Sequence, residues 1–206
     1  CIRDRVAAAR GAWLMVDDAH GFGVLGRDGR GTLDHLGVTA TQAPILMGTL
    51  GKALGTFGAF VAGSEELVET LIQRARSYVY TTATPPALAE ATRASLAIAR
   101  REGWRRERLG TLIARLRTAA AALQLPLAES PTPIQPLVAG TSARALAWSA
   151  ALESAGVLVT AIRPPTVPEG SARLRITLSA AHTDADLDRL IEALAALPRD
   201  PGAEAT

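Results

Sequence analysis

The chain has 206 residues, 48% of them hydrophobic and 20% charged, which excludes a disordered tail and a disulfide-stapled miniprotein. Its net charge of +2, from 22 Lys and Arg against 20 Asp and Glu, supplies no basic block for nucleic acid or an anionic membrane. The single cysteine, Cys1, excludes an intrachain disulfide, no Cys/His cluster offers a zinc site, and no apolar run reaches the ~18 residues of a bilayer span.

In chain order, Ile2 to Arg10 is predicted to be a helix already under way at the start of a chain without an initiating methionine. These residues are therefore expected to be the C-terminal part of something longer, and a reducing, cytoplasmic setting is expected with them. Trp13 to Val16 has the pattern of a buried strand that ends at Asp17-Asp18 and opens into the Gly-rich stretch beginning Ala19-His20-Gly21-Phe22-Gly23. Pro44 to Met47 forms a second short strand, ending at Gly48, and Ala59 to Ala62 a third, fenced by Gly58 and Gly63. Ser64 caps a helix whose first turn carries Glu65 and Glu66 and whose apolar face holds Leu67, Val68, Leu71 and Ile72. Pro85-Pro86 opens an alanine-rich helix to about Arg101, where a domain boundary is expected.

The second half is predicted to be α+β. A helix from Trp104 to Leu123 is followed by a strand over Ile134 to Val138 and a helix from Ser142 to Ala155 ended by Gly156. Strands Val157 to Ile162 and Arg173 to Leu178 come next, then a helix from Asp184 to Leu197 capped by Thr183. The organisation expected is one domain over 1–100, a smaller one over 101–197 and a flexible tail over 198–206. Arg100, Arg101, Arg105, Arg106 and Arg108, interspersed with Glu102 and Glu107, have the look of a solvated helix face.

Two groups of residues could carry chemistry. Lys52, the only lysine, sits in Gly48-Thr49-Leu50-Gly51-Lys52-Ala53. A phosphate-binding P-loop needs four residues between its glycines and Ser or Thr after the lysine, and this stretch has neither. Asp17 stands three residues before His20 at a strand end, which suits a general-base pair, a turn, or a charge partner for a cofactor ring. A metal site is the poorest option, since no third ligand stands nearby. A pyridoxal phosphate (PLP) site needs a carboxylate for the pyridine nitrogen, a lysine for the aldehyde and hydroxyls for the phosphate, and Asp17, Lys52 and Thr49 supply one of each.

The stretches Asp17-Asp18-Ala19-His20-Gly21, Gly26-Arg27-Asp28-Gly29-Arg30-Gly31, Thr49-Leu50-Gly51-Lys52, Ala161 to Pro168 and Ala172 to His182 resemble, in order and over nearly the whole chain, the α-oxoamine synthases. The resemblance implies an α/β fold-type I PLP-dependent transferase, present as part of its large domain plus an α+β small domain, and acting as a homodimer with active sites at the subunit interface. It implies Lys52 as the Schiff-base lysine, Asp17 as partner of the pyridine nitrogen and His20 as partner of the cofactor's phenolic oxygen. Thr49, with Thr81 or Thr82 across the dimer, would hold the phosphate. Arg175 would hold the amino-acid carboxylate, and Arg163 and Thr166 would lie beside the acyl substrate. The substrates implied are L-alanine and a pimeloyl thioester on coenzyme A or a carrier protein, with glycine and acetyl-coenzyme A, or a non-catalytic scaffold, as alternatives. The family's ring-stacking residue and glycine-containing phosphate loop are not among these residues, so the 206 residues by themselves are expected to be inactive.

Overall fold

The computed structural model describes residues 2–198, which form two compact units dividing between Gly103 and Trp104. Residues 199–206 of the predicted tail lie outside the described residues, as does Cys1.

The first unit runs α1 (Ile2–Ala9), β1 (Met15–Asp17), a 3-10 turn (Arg27–Gly29), α2 (Thr32–Leu36), β2 (Ile45–Thr49), β3 (Ala59–Ala62), α3 (Glu65–Arg74), α4 (Arg76–Val79) and α5 (Pro86–Arg101). Its sheet has the order β1-β2-β3, with β1 parallel to β2 so that Asp17 stands opposite Met47, and β2 antiparallel to β3. The strand predicted to stop before Gly48 continues through it, because Gly48 pairs with Phe60 and a Cβ there would lie 2.6 Å from the Phe60 ring. That glycine provides clearance rather than a turn. Phe60 in turn meets Phe22 edge-on, with ring centroids 5.2 Å apart, tying the Gly-rich loop to the sheet.

One expectation for this unit needs correction. The first strand is not buried: Trp13 is 76% and Met15 54% exposed, since among the described residues nothing covers their face of the sheet. The apolar face of α3 is likewise only half covered, and no residue of that helix is buried. Ser64 does cap it, accepting the Leu67 N–H at 3.3 Å.

The second unit runs α6 (Trp104–Ala122), β4 (Ile134–Gly140), α7 (Ser142–Ser154), β5 (Thr160–Ile162), β6 (Ala172–Thr177) and α8 (Asp184–Ala195), with an antiparallel sheet ordered β4-β6-β5. Period-two alternation sends Leu174 and Ile176 of β6 and Leu137 and Ala139 of β4 into one core with Leu112, Leu116, Trp148, Leu152, Leu187 and Leu190. The strand expected over Val157 to Ile162 shrinks to three residues. The Val157 N–H turns back to the Leu152 carbonyl at 2.8 Å, closing the end of α7, and Leu158 is left 85% exposed.

Two polar arrangements hold this unit's edges. Gln135 is fully buried on β4, where its oxygen accepts from Arg117 at 3.0 Å and its amide donates to the Ser130 and Thr132 carbonyls at 3.0 and 2.6 Å. All three bonds compensate its burial. On the surface, Arg108 and Arg115 of α6 both reach Asp184 of α8, and Arg115 also reaches Asp188 at 2.7 Å, so Arg108 is a helix-to-helix tie rather than part of a free basic face.

Thr183 and Asp186 form a reciprocal cap on α8: Thr183 Oγ1 accepts the Asp186 N–H, and Asp186 Oδ2 accepts the Thr183 N–H at 2.8 Å. These bonds from the Thr183 backbone and hydroxyl, aided by the charges of His182 and Arg189, hold the Asp186 carboxyl below its ordinary value of 3.8. A depressed carboxyl contributes stability that is complete above the unfolded value and is lost as pH falls through the folded one. Asp186→Ala is therefore expected to destabilise the protein at pH 7, with the gap from wild type closing as denaturation midpoints are followed below pH 3.8.

Candidate functional site

Because β1 and β2 are parallel, their C-terminal ends lie at one edge of the sheet, where polar residues following open α/β strands face a crevice. Asp17 closes β1 and Thr49 closes β2, with His20 and Lys52 three residues beyond each.

The loop after β1 is built on Asp18. This carboxylate is 3% exposed and accepts both the Thr32 N–H at 2.8 Å and the Thr32 hydroxyl, while the Asp18 N–H bonds to the Met47 carbonyl at 2.8 Å. A Cβ on Gly21 or on Gly31 would collide with the Asp18 carboxylate, and Gly31 has φ +100. The glycines thus exist to let the backbone wrap a buried charge. Asp17, one position earlier, is exposed, and its Oδ1 accepts the Ala19 N–H at 3.0 Å, leaving Oδ2 open among the described residues.

The loop after β2 is closed by the Leu50 N–H to the Gly58 carbonyl at 2.8 Å and the Thr56 N–H to the Leu50 carbonyl at 2.9 Å. Lys52 is exposed within it, and its carbonyl accepts the Gly55 N–H at 3.0 Å. The two loops meet: Gly23 stands so close to Ala53 that a Cβ on it would lie 2.7 Å from the alanine's own. The residue next to the lysine therefore touches the loop that carries His20, which is itself exposed.

The hydroxyls differ in availability. Thr49 Oγ1 donates to the Gly58 carbonyl at 3.1 Å and accepts the Gly51 N–H at 3.3 Å, so its proton is already committed. Thr81 donates to the Ser77 carbonyl, and Thr82 makes no side-chain hydrogen bond among the described residues. Both are exposed after α4.

The remaining candidates lie in the second unit. Arg175 is exposed on the sheet face opposite the core, between Pro136 and Thr160 in register, and makes no ion pair among the described residues. Arg173, two residues earlier on the same face, is half-buried, with its Nε donating to the Ser171 carbonyl at 3.0 Å. Arg163 and Thr166 are exposed in the loop after β5, where the Thr166 N–H bonds to the Arg163 carbonyl at 3.0 Å. A cavity of about 320 Å³ in this unit, lined by Val157, Leu158, Leu178, His182 and Arg189 among others, contains none of these candidates.

A family model described as aminotransferase class I and II matches residues 4–194. The chain belongs to that family. It is 65% identical over 189 residues to an 8-amino-7-oxononanoate synthase of Stutzerimonas stutzeri (strain A1501), covering 92% of this chain and 48% of that protein. The chain thus spans about half the length of the curated relatives it matches. Among solved structures, it resembles a serine palmitoyltransferase from S. paucimobilis with bound PLP–myriocin aldimine, at a TM-score of 0.87 and 28% identity, over 94% of this chain and 49% of that one. An 8-amino-7-oxononanoate synthase from Francisella tularensis matches at 0.81 and 31%, over 93% of this chain and 57% of that one. The fold class expected from the sequence, fold-type I α/β, is the one this family member has. No helix among the described residues is long and apolar enough to cross a membrane.

Sequence reasoning missed Asp18, which it quoted only as part of a motif stretch, because its partner Thr32 stands fourteen residues away and no local pattern reveals the pair. Asp18→Ala strands the Thr32 N–H in a part-buried site and is expected to destabilise the protein by about 1 kcal/mol or more in denaturant titrations. Thr32→Ser, which keeps both donors, is expected to stay close to wild type.

Proposed function

We propose that the protein is a PLP-dependent acyltransferase of the 8-amino-7-oxononanoate synthase type. It would condense L-alanine with a pimeloyl thioester, on coenzyme A or a carrier protein, and release carbon dioxide and the thiol, a step of biotin biosynthesis. The observation that carries this reading is the contact of Gly23 with Ala53, which joins the loop following Asp17 and His20 to the loop of the chain's only lysine. The identity to proteins named for that product supports the substrate choice.

The donor set fits PLP. Asp17 offers an open carboxylate oxygen for the ring nitrogen, Lys52 an exposed amine for the aldehyde, and Thr82 an open hydroxyl for the phosphate, with Thr49 and Thr81 available once their present bonds are exchanged. Bound, the cofactor would supply a ring that accepts the electron pair released at the substrate Cα. Asp17 would keep the proton on the ring nitrogen, and His20 would hydrogen-bond the phenolic oxygen. Lys52 would hold the cofactor and, once displaced by the amino group of alanine, would take the Cα proton at Nζ. Arg175 would grip the alanine carboxylate through two parallel hydrogen bonds, which its planar fork and open exposure suit. Arg163 and Thr166 would flank the acyl substrate.

In this reading residues 1–100 are part of a PLP-binding large domain and 101–197 a small domain. The working protein is a homodimer in which Thr81 or Thr82 reaches the phosphate of the other subunit.

Borohydride reduction of the PLP-loaded whole protein followed by peptide mapping is expected to place the pyridoxyl group on Lys52. A pyridoxyl group elsewhere, or nowhere in a cofactor-saturated preparation, would refute the reading. Arg175→Ala is expected to keep bound cofactor while losing about 2–5 kcal/mol of alanine binding, the scale for breaking a desolvated charge pair. Arg173→Ala is expected to leave alanine kinetics nearly unchanged, because its guanidinium is tied to Ser171.

A further inference from the structure

Lys52 has an exposed, unbranched side chain, so where its amine dwells depends on the loop that carries it. Within that loop Leu54 is the buried anchor, 5% exposed, and its carbonyl accepts a 2.6 Å hydrogen bond from the hydroxyl of Ser95, forty-one residues later on α5. One turn earlier on the same helix face, Thr92 reaches the Thr56 hydroxyl at 3.0 Å, and Thr56 reaches the Leu50 carbonyl at 3.1 Å. Thr92 is also 2.8 Å from the Leu88 carbonyl, so its single proton is contested. Among the described residues, the Ser95 hydroxyl has the Leu54 carbonyl as its acceptor.

We propose that Ser95 is a positioning residue for Lys52: α5 fixes the lysine loop through the Ser95 hydroxyl on the Leu54 carbonyl, with the Thr92 and Thr56 hydroxyls as a weaker second tie. The inference rests on the reading of Lys52 as the cofactor lysine. Helix hydroxyls most simply bond back to a carbonyl of their own helix, as Thr92 does in part, and Ser95 instead spends its proton on the backbone of the loop at its buried residue, Leu54. A loop held at both its start and its middle presents Lys52 in a narrow range of positions, which is what a group that must meet both a cofactor and a substrate proton requires.

The test compares wild type, Ser95→Ala and Ser95→Thr in the whole protein by two readouts. In the cofactor-free protein, amide exchange over residues 50–56 is expected to accelerate in Ser95→Ala while the amides of α5 stay protected. In PLP titrations, Ser95→Ala is expected to weaken cofactor retention about five- to tenfold, the scale of one hydrogen bond, and to shift the pH midpoint of the bound chromophore. Ser95→Thr should restore both. Exchange and chromophore indistinguishable from wild type in Ser95→Ala would overturn the proposal, as would exchange rising equally through α5, which would mean the helix itself had loosened. If borohydride traps no PLP on Lys52 in wild type, the reading of Lys52 fails and the proposal falls with it. If wild type traps PLP there and Ser95→Ala is unaltered, the proposal alone fails.

Discussion

The burial of Asp18 is the constraint on which the first unit depends. A carboxylate taken out of water costs several kcal/mol unless donors meet it, and here both donors come from one distant residue, Thr32. Satisfying them brings residue 32 back against the end of β1, which forces the intervening chain to pass where only Gly21 and Gly31 fit. The same closure sends Gly23 against Ala53 and Phe22 against Phe60, so one buried charge arranges the loop, its contact with the sheet and its contact with the lysine loop. Asp17, the preceding residue, is left exposed.

The two units use apolar sequence differently. The second has a continuous core of leucine, isoleucine, valine, alanine and one tryptophan between its sheet and its helices. The first buries Ala7, Ala19, Ala43 and Leu54 but leaves Trp13, Met15 and Phe57 more than half exposed. Its loops are consequently held by directional polar bonds: Thr32 to Asp18, Leu50 to Gly58, Ser95 to Leu54. Hydrogen bonds fix geometry more narrowly than apolar contact does, which suits a site whose residues sit on loops at a sheet edge.

The longer helices and most strands were legible in the sequence, while the short α2 and α4 were not, because capping residues and periodicity are local signals that need several turns: Ser64 and Thr183 accept the bonds expected of caps, and β6 alternates as its pattern predicts. The motif residues at the ends of β1 and β2 were legible for the same reason, since a short apolar run stopping at polar residues and glycines marks a strand end. Local pattern misjudged the first strand's burial and the extent of β5, because burial depends on what packs over a face. It also ended the second strand at Gly48, because only the fold brings the Phe60 ring over that glycine and carries the strand through it.

The sequence by itself thus determined which residue types stand at which strand ends, and the family resemblance that those motifs carry. Only the tertiary structure decided that Asp18 is buried against Thr32, that Gln135 saturates its bonds with Arg117 and two loop carbonyls, that Arg173 is tied down while Arg175 is open, and that α5 reaches the lysine loop. The physical reason is common to all four: each depends on whether a polar group finds a partner. Three of those partners lie between fourteen and forty-one residues away in sequence, a separation that no local pattern spans. The fourth, Ser171, is near in sequence, but whether the arginine turns to it depends on how the sheet face is covered.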